Sequence, residues 1–169
     1  MFAVLSDTHS TRGNELAGRA REAVERADRV LHAGDFTTVA ALDAFYDAAE
    51  RLDAVYGNAD SSGVQSRLPE GRVVDCEGVR VAITHRRRGG ESGLVMFGRE
   101  KDADLVVSGH THRPRFVPGD PALLNPGSHA DPRGNPAAHA ELEGTDAGVE
   151  GTIRTREGDV LTAVSVETK

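Results

Sequence analysis

The stretch Leu105-Val106-Val107-Ser108-Gly109-His110-Thr111-His112 is a short apolar segment that runs directly into two histidines. An apolar run of this length predicts a buried strand. In extended backbone, side chains alternate between two faces, so His110 and His112 are expected to point to the same side. Neutral imidazole is the commonest metal-ligating side chain, which makes this pair a candidate for metal binding. Two histidines in a surface turn are an equally good interpretation of this stretch alone.

The first sixty residues repeat the pattern of a strand candidate followed by a polar turn. The apolar runs that predict strands are residues 2–5, 29–33 and 53–56. Between them, residues 14–28 and a segment capped by Thr37 or Thr38 carry apolar side chains at helical spacing. This alternation predicts a parallel βαβαβ unit, in which ligands bind outside the carboxyl ends of the strands. The polar residues at those ends are Asp7, His9, Asp35 and Asn58.

The second half of the chain favours antiparallel pairing. Residues 72–76 and 79–84 form a hairpin candidate through Glu77-Gly78, and its second strand runs into His85. A weaker helix is predicted at residues 92–101. The remaining strand candidates are residues 105–108, 122–124, 139–142, 149–155 and 160–166. The last three are consistent with an antiparallel meander, and residues 1–169 are expected to form a single domain.

Composition limits the class of protein. A chain of 169 residues with 38% hydrophobic residues and no Trp fits one domain with a modest core. It has no apolar run near the ~20 residues that span a bilayer, and its N-terminus lacks a signal pattern. Cys76 is the single cysteine, which excludes an intramolecular disulfide and a thiolate metal cluster. These features predict a cytoplasmic protein with no membrane partner.

The formal net charge of −7 disfavours long nucleic acids as partners, because the surface as a whole repels a polyanion. Arg86-Arg87-Arg88 is a local exception. Guanidinium groups pair with phosphate in a bidentate way, so Arg86, which follows His85, is interpreted as a substrate contact. Arg133 is a comparable candidate. A solvated loop in an arginine-rich chain is the competing interpretation, and it is preferred for Arg87 and Arg88.

Taken in order, the motifs resemble those of the calcineurin-like metallophosphoesterase superfamily. They are Asp7-x-His9, Gly34-Asp35, Gly57-Asn58, Thr84-His85 and Gly109-His110-Thr111-His112. The later Asn125-Pro126-Gly127-Ser128 is similar to the short single-domain branch, typified by small bacterial and archaeal phosphodiesterases. The resemblance covers residues 1–134. It implies an α/β fold, a four-layer αββα sandwich of mixed sheets with a dinuclear metal site at one edge.

The resemblance also implies a role for each matched residue. The first metal ion would be held by Asp7, His9 and His112. The second would be held by Asn58, His85 and His110, with Asp35 bridging both ions. Oxygen and nitrogen ligands without sulfur suit Mn²⁺, the first choice, and also Fe²⁺, Zn²⁺ or Ni²⁺. A hydroxide bridging the two ions would attack a small phosphodiester, and the catalytic set would be Asp35, Asn58, His85 and Arg86.

Two positions depart from the family pattern. Larger phosphatases of the superfamily carry a histidine after the Gly-Asn pair, thought to protonate the leaving group, and this chain has Ala59 there. Poor leaving groups would then depend on water or on His129, a further candidate for touching the substrate. Small members commonly have a glycine after the histidine that matches His85, where this chain has Arg86.

Three functions stay open at the level of the sequence. The first is a metal-dependent phosphodiesterase that acts on a small substrate. The second is a phosphomonoesterase or nuclease with the same site, which the fold cannot separate from the first. The third is a non-catalytic metal-binding scaffold, as in the retromer subunit that shares this fold. A scaffold predicts broken ligand positions, and none of the seven is replaced here. A homo-oligomer is compatible with all three.

Overall fold

Two β-sheets lie face to face between two layers of helices in the computed structural model, which describes residues 1–168. The helices are α1 (Gly18–Arg26), α2 (Val39–Ala48), α3 (Ser62–Gln65) and α4 (Glu91–Glu100). The strands are β1 (Phe2–Leu5), β2 (Arg29–His32), β3 (Leu52–Ala54), β4 (Gly71–Cys76), β5 (Val79–Thr84), β6 (Leu105–Val107), β7 (Arg115–Val117), β8 (Ala122–Asn125), β9 (Ala138–Thr145), β10 (Gly148–Thr155) and β11 (Val160–Glu167). Among residues 1–168, no helix combines the length and the apolarity needed to cross a membrane.

Parallel strands lie inside both sheets. The first sheet has the order β11-β10-β9-β1-β2-β3, with β1, β2 and β3 parallel and β9, β10 and β11 antiparallel. The second sheet has the order β4-β5-β6-β8-β7, with β5, β6 and β8 parallel and an antiparallel strand at each edge. Both sheets therefore contribute side chains at the carboxyl ends of their parallel strands.

Three apolar cores hold the layers together. Val4 and Ile83 belong to the core between the two sheets. Leu5 and Leu42 belong to the core between the first sheet and its helices, and Phe97 of α4 packs on the second sheet. The run at residues 2–5 is apolar at every position because its strand is covered on both faces. This arrangement is the αββα sandwich that the motifs imply, so the predicted fold is confirmed.

Helix α1 begins four residues later than predicted from the periodicity. Glu15 has a φ of 52°, which is incompatible with a right-handed helix. Ser10 Oγ donates to Glu15 Oε1 at 2.9 Å, and Asn14 Oδ1 accepts from the Leu16 amide at 3.2 Å. These local hydrogen bonds replace the first helical turn.

The structure also defines where α2 begins and how the strands of the second half of the chain pair. Thr38, not Thr37, is the N-cap of α2, and its hydroxyl accepts from the Ala41 amide at 3.2 Å. Antiparallel pairing holds for the β4–β5 hairpin and the β9–β11 meander, but β5, β6 and β8 are parallel. Helix α3 and strand β7 have four and three residues, too short for hydrophobic periodicity to predict.

Candidate metal centre

The ligand-type residues lie just beyond the ends of parallel strands in both sheets. Strands β1 and β2 of the first sheet and β5 and β6 of the second lead into them. The residues beyond these strands are Asp7, His9, Asp35, His85, His110 and His112. A further turn, residues 57–60, comes after β3. Because the carboxyl ends of parallel strands share an edge, residues far apart in sequence meet there.

Asp7 is the central carboxylate of this cluster and is fully buried. Its Oδ1 lies 3.3 Å from His112 Nε2, 3.8 Å from His9 Nε2 and 4.0 Å from His85 Nε2. The His110 amide donates to Asp7 Oδ2 at 3.0 Å. Asp7 therefore faces three imidazoles and is held in place by the backbone of the loop that carries two of the candidate ligands.

Asp35 turns a single oxygen toward the histidines. Its Oδ2 lies 3.1 Å from His85 Nε2 and 3.3 Å from His9 Nε2. Its Oδ1 accepts a hydrogen bond from the Ala59 amide at 2.7 Å. Oδ2 is therefore the Asp35 oxygen that faces the candidate ligands. The hydrogen bond from the Ala59 amide to Oδ1 could not be predicted from the sequence.

The donor atoms form two groups that share one residue. Asp7, His9 and His112 make the first group, and Asp7, Asp35 and His85 make the second. Within each group the donor atoms all lie within 4.8 Å of one another. Each group could hold a metal ion, and together they contain five of the seven predicted ligands.

The imidazole nitrogens support a cation at this place. His9 Nε2 and His85 Nε2 are buried and make no hydrogen bond within residues 1–168. On the opposite side of their rings, His85 Nδ1 donates to the Ala33 carbonyl at 2.7 Å and His112 Nδ1 donates to the Asp131 carbonyl. A neutral ring that donates from Nδ1 has a free lone pair on Nε2. Lone pairs that face buried carboxylates fit a cation between them, because buried polar atoms normally have a partner.

The carboxylates of the cluster raise the pKa of two of its histidines. The Asp35 carboxylate, followed by that of Asp7, raises the pKa of His9 to about 9 against the effect of burial. Burial disfavours the ionised Asp35, but the neighbouring His85 and His9 rings outweigh it and hold the pKa of this carboxyl well below its usual range. Burial also lowers the pKa of His85, and the two carboxylates raise it by more. The cluster thus favours positive charge, as a proton or as a metal cation.

The backbone around the cluster is strained. Five candidate ligands have φ values between 46° and 72°, a region that non-glycine residues rarely adopt. They are Asp7, His9, Asp35, His110 and His112. Glycine is required at two points of close approach. A Cβ on Gly57 would lie 2.1 Å from Asp35 Oδ1, and one on Gly109 would lie 1.9 Å from Ser6 Oγ.

Asp60 is a residue that the sequence-based assignment of ligands missed. Its carboxylate accepts from the backbone amides of Gly57 at 2.7 Å, Asp35 at 3.0 Å and Thr37 at 2.6 Å. It therefore joins the turn after β2 to the turn after β3. The signal in the sequence was the turn Gly57-Asn58-Ala59-Asp60 itself, because a carboxylate in such a turn commonly accepts backbone N–H groups.

The His32 ring forms hydrogen bonds with the loop after β1 and with the turn after β2. Its Nδ1 accepts from the Gly34 amide at 3.1 Å, so its Nε2 donates to Thr8 Oγ1 at 2.9 Å. Burial lowers the pKa of His32 well below its ordinary value, which keeps the ring neutral and this tautomer in place. Thr8 lies between Asp7 and His9, and Gly34 precedes Asp35. The His32 ring therefore connects the two loops that carry these three candidate ligands.

The outer residues of the predicted set are more exposed. The His110 ring lies 5.4 Å from the His85 ring, centroid to centroid. Asn58 is exposed, and the amide of its neighbour Ala59 binds Asp35. Arg86 is exposed beside His110 in a surface cavity. The structure thus gathers the three core histidines and two carboxylates tightly and leaves these three side chains on the solvent side.

A comparison with known families agrees with this geometry. The model of the calcineurin-like phosphoesterase superfamily domain matches residues 1–145. The chain belongs to this superfamily. The resemblance inferred from the ordered motifs is confirmed, and the superfamily is one of hydrolytic phosphoesterases that use metal ions.

Two relatives and one solved structure show what the chain is similar to. A probable metallophosphoesterase of Methanothermobacter thermautotrophicus is 36% identical over 140 residues, which cover 79% of this chain and 79% of that protein. A phosphodiesterase of Methanocaldococcus jannaschii is 28% identical over 143 residues, which cover 75% and 82%. The crystal structure of Vps29 from Chaetomium thermophilum has a TM-score of 0.84 at 16% identity and covers 99% and 98% of the two chains. This last likeness concerns the fold alone.

Two further candidates in this calcineurin-like phosphoesterase, His129 and Arg133, already have partners in the structure. His129 is 1% exposed, and its Nε2 donates to the Asn14 carbonyl at 2.8 Å. Burial and this hydrogen bond argue against a contact between His129 and a substrate. Arg133 is exposed but pairs with Asp131 Oδ2 at 2.9 Å, so its charge is already balanced. Both residues lie near a family motif in the sequence, but the sequence does not show in which direction their side chains point.

Proposed function

We propose that this calcineurin-like phosphoesterase hydrolyses small phosphodiesters with the help of two bound divalent cations. The observation that carries the proposal is the pair of donor groups that share Asp7. Asp35 Oδ2 faces His9 from one group and His85 from the other, which supports the proposal that Asp35 bridges the two cations. The phosphodiesterase among the relatives supports the choice of a diester as substrate.

In the proposed centre the seven residues divide as the family motifs suggest. The first cation would be held by Asp7, His9 and His112. The second would be held by His85, His110 and Asn58, with Asp35 contributing to both. Two divalent cations, when bound, lower the pKa of an attacking water and stabilise negative charge on the phosphate oxygens. The oxygen and nitrogen donors suit Mn²⁺ first, with Fe²⁺, Zn²⁺ and Ni²⁺ as alternatives.

The side chains of the protein then have distinct tasks. The Asp35 and Asp7 carboxylates would balance the charge of the bound cations. The hydrogen bonds of His32 and Asp60 fix the loops that carry these two carboxylates. Arg86, exposed beside His110, contacts the phosphate of the substrate through its guanidinium. Ala59 offers no proton, so the leaving group departs as an anion or takes a proton from water.

A non-catalytic metal-binding scaffold is the second candidate, because a fold by itself does not determine function. The complete set of ligand-type residues argues for catalysis instead. A monoesterase or nuclease would use the same site, so substrate choice must be measured.

The test combines metal analysis with a substrate panel. Protein loaded with Mn²⁺ is assayed with 4-nitrophenyl phosphate, bis(4-nitrophenyl) phosphate and 2′,3′-cyclic nucleotides. We expect two ions per chain and the highest kcat/KM for a diester. A higher kcat/KM for the monoester would identify a phosphomonoesterase. Two bound ions without hydrolysis of any ester would favour the scaffold.

Leaving-group dependence tests the role of Ala59. A series of aryl and alkyl phosphodiesters with leaving groups of increasing pKa should show a steep fall in rate, because no side chain replaces the missing proton donor. The exposed surface around Ala59 leaves water as the alternative source. Rates that do not change along the series would show that proton donation does not limit the enzyme.

We further propose that residues 1–169 act as one metallophosphoesterase domain in the cytoplasm, on small esters rather than long nucleic acids. The net charge of −7 supports the exclusion of polyanions. Self-association stays a prediction that light scattering can test.

A further inference from the structure

A cavity of about 440 Å³ opens beside His85 and His110, on the solvent side of the proposed metal centre. Its apolar wall includes Leu94, Val117 and Leu123. Its charged lining is dominated by arginines, which are Arg86, Arg87, Arg113 and Arg115. One carboxylate, Glu91, also lines it. The cavity therefore combines room for a small organic group with an excess of positive charge in a protein that is acidic overall.

Two of the four arginines already have partners. Arg115 forms an ion pair with Glu91. Arg87 binds Glu70 Oε1 at 3.0 Å, and its guanidinium lies 4.0 Å from the centre of the Phe97 ring. These contacts fix the two side chains as parts of the wall and balance their charges.

Arg86 and Arg113 have no partner of this kind. Both are exposed, and within residues 1–168 neither side chain forms an ion pair or a hydrogen bond. A neighbouring cavity of about 1400 Å³ reaches His110 too. Its Arg72, Arg87 and Lys101 are paired with Asp53, Glu70 and Glu100, whereas Arg86 and Arg88 line it without such a partner within residues 1–168. Arg86 thus borders both cavities, and Arg113 is the unpaired arginine that lines the smaller cavity alone.

We propose that this cavity binds a second anionic group, carried by one ester arm of the substrate. The proposal rests on the phosphodiesterase function proposed above. A simple diester has one negative charge, at the phosphate that reacts, and the metal centre with Arg86 accounts for it. Arg113 then binds a carboxylate or a further phosphate on the arm, and the apolar wall packs against the carbon skeleton between the two charges. The substrate class is a small phosphodiester with an acidic substituent on one arm.

A matched pair of substrates tests the proposal in the Mn²⁺-loaded protein. 4-Nitrophenyl phenyl phosphate and 4-nitrophenyl 3-carboxyphenyl phosphate share a leaving group and differ by one carboxylate on the retained arm. We expect the wild type to prefer the carboxylate in kcat/KM by about tenfold, the usual scale of one charge-assisted hydrogen-bonded contact. Arg113→Ala should reduce this preference to about twofold or less. Arg88→Ala is the matched control, because Arg88 belongs to the same arginine run and does not line this cavity.

Binding provides a second measurement that does not depend on turnover. Calorimetric titration with phenylphosphonate and 3-carboxyphenylphosphonate should show tighter binding of the carboxylate compound, and Arg113→Ala should remove the difference. Equal affinities in the wild type, or a preference that survives Arg113→Ala, would overturn the subsite. Failure of the protein to hydrolyse either ester would contradict the proposed function, and the phosphonate titration would still decide the subsite.

Discussion

At the scale of single residues, Asp35 and Asp53 are both buried aspartates with very different surroundings. Asp35 faces two imidazoles through one oxygen, whereas Asp53 pairs with Arg29 and Arg72 at 2.7 Å each. A carboxylate that faces two imidazole nitrogens is suited to a shared cation, and one between two guanidinium groups is already satisfied. The two residues therefore form a matched pair for testing the bridging assignment.

We expect Asp35→Asn to lose both metal ions or to bind one weakly, because an amide oxygen lacks the charge needed to hold two cations. Asn58→Ala should mainly weaken the second ion. Elemental analysis after gel filtration gives the stoichiometry. Asp53→Asn is the control, which should lower stability through its lost ion pairs and still retain two ions. Two ions bound to Asp35→Asn with wild-type affinity would remove the bridging assignment.

Arg86 directly follows His85 and lines the cavity beside the proposed metal centre. It is exposed in the free protein, so its contribution depends on the desolvation that a bound phosphate produces. Arg86→Ala should lower kcat/KM for all diesters by about tenfold or more, without changing the metal content. Steady-state kinetics at low and high salt is the measurement. A change below about threefold at both salt concentrations would return Arg86 to a solvated loop, since exposed charges contribute little and are screened.

At the scale of elements, the positions of the ligands could be predicted from the sequence and their contacts could not. A polar residue after an apolar run is visible in the chain, and parallel strands bring such residues together at one edge. The bond from the Ala59 amide to Asp35 spans 24 residues, and Asp60 accepts from an amide 25 residues away. Such contacts depend on how two turns pack against each other. The late start of α1 has the same origin, because Ser10 and Asn14 compete with the helix for its first hydrogen bonds.

The turn after β3 is an element whose function can be tested by one methyl group. In Gly57→Ala the new Cβ would lie 2.1 Å from Asp35 Oδ1 and 2.7 Å from the Asp35 amide nitrogen. We expect a loss of metal affinity and a destabilisation of about 1–3 kcal/mol, because the turn must move away from Asp35. Manganese titration and urea unfolding measure the two effects. Gly13→Ala is the control, since nothing lies within 4 Å of a Cβ there. Unchanged metal affinity in Gly57→Ala would show that the close approach is not needed.

At the scale of the whole molecule, the αββα sandwich places an electropositive cavity on an acidic protein. The net charge of −7 is spread over the surface, while unpaired Arg86 and Arg113 lie next to the metal centre. Local charge thus opposes the overall charge at the place where an anionic ester must enter. The fold also encloses several histidines that do not belong to the proposed centre, and these make its stability depend on pH.

His129 carries the clearest pH dependence of the fold. Burial lowers its pKa to about 4, against the opposing hydrogen bond to Asn14. Because the unfolded chain has a histidine pKa near 6.5, it binds the extra proton first, and stability falls as the pH falls from about 6.5 to 4. A shift of this size corresponds to about 3 kcal/mol at the acid end of the window. Urea unfolding of metal-free protein at pH 7.0, 5.5 and 4.5 should show this loss. His129→Gln, which keeps a donor for Asn14 without a titrating group, should reduce this loss and leave the part due to buried His32 and His139, whereas His110→Gln at an exposed position should retain most of it. An equally steep loss in His129→Gln would assign the acid sensitivity to other groups.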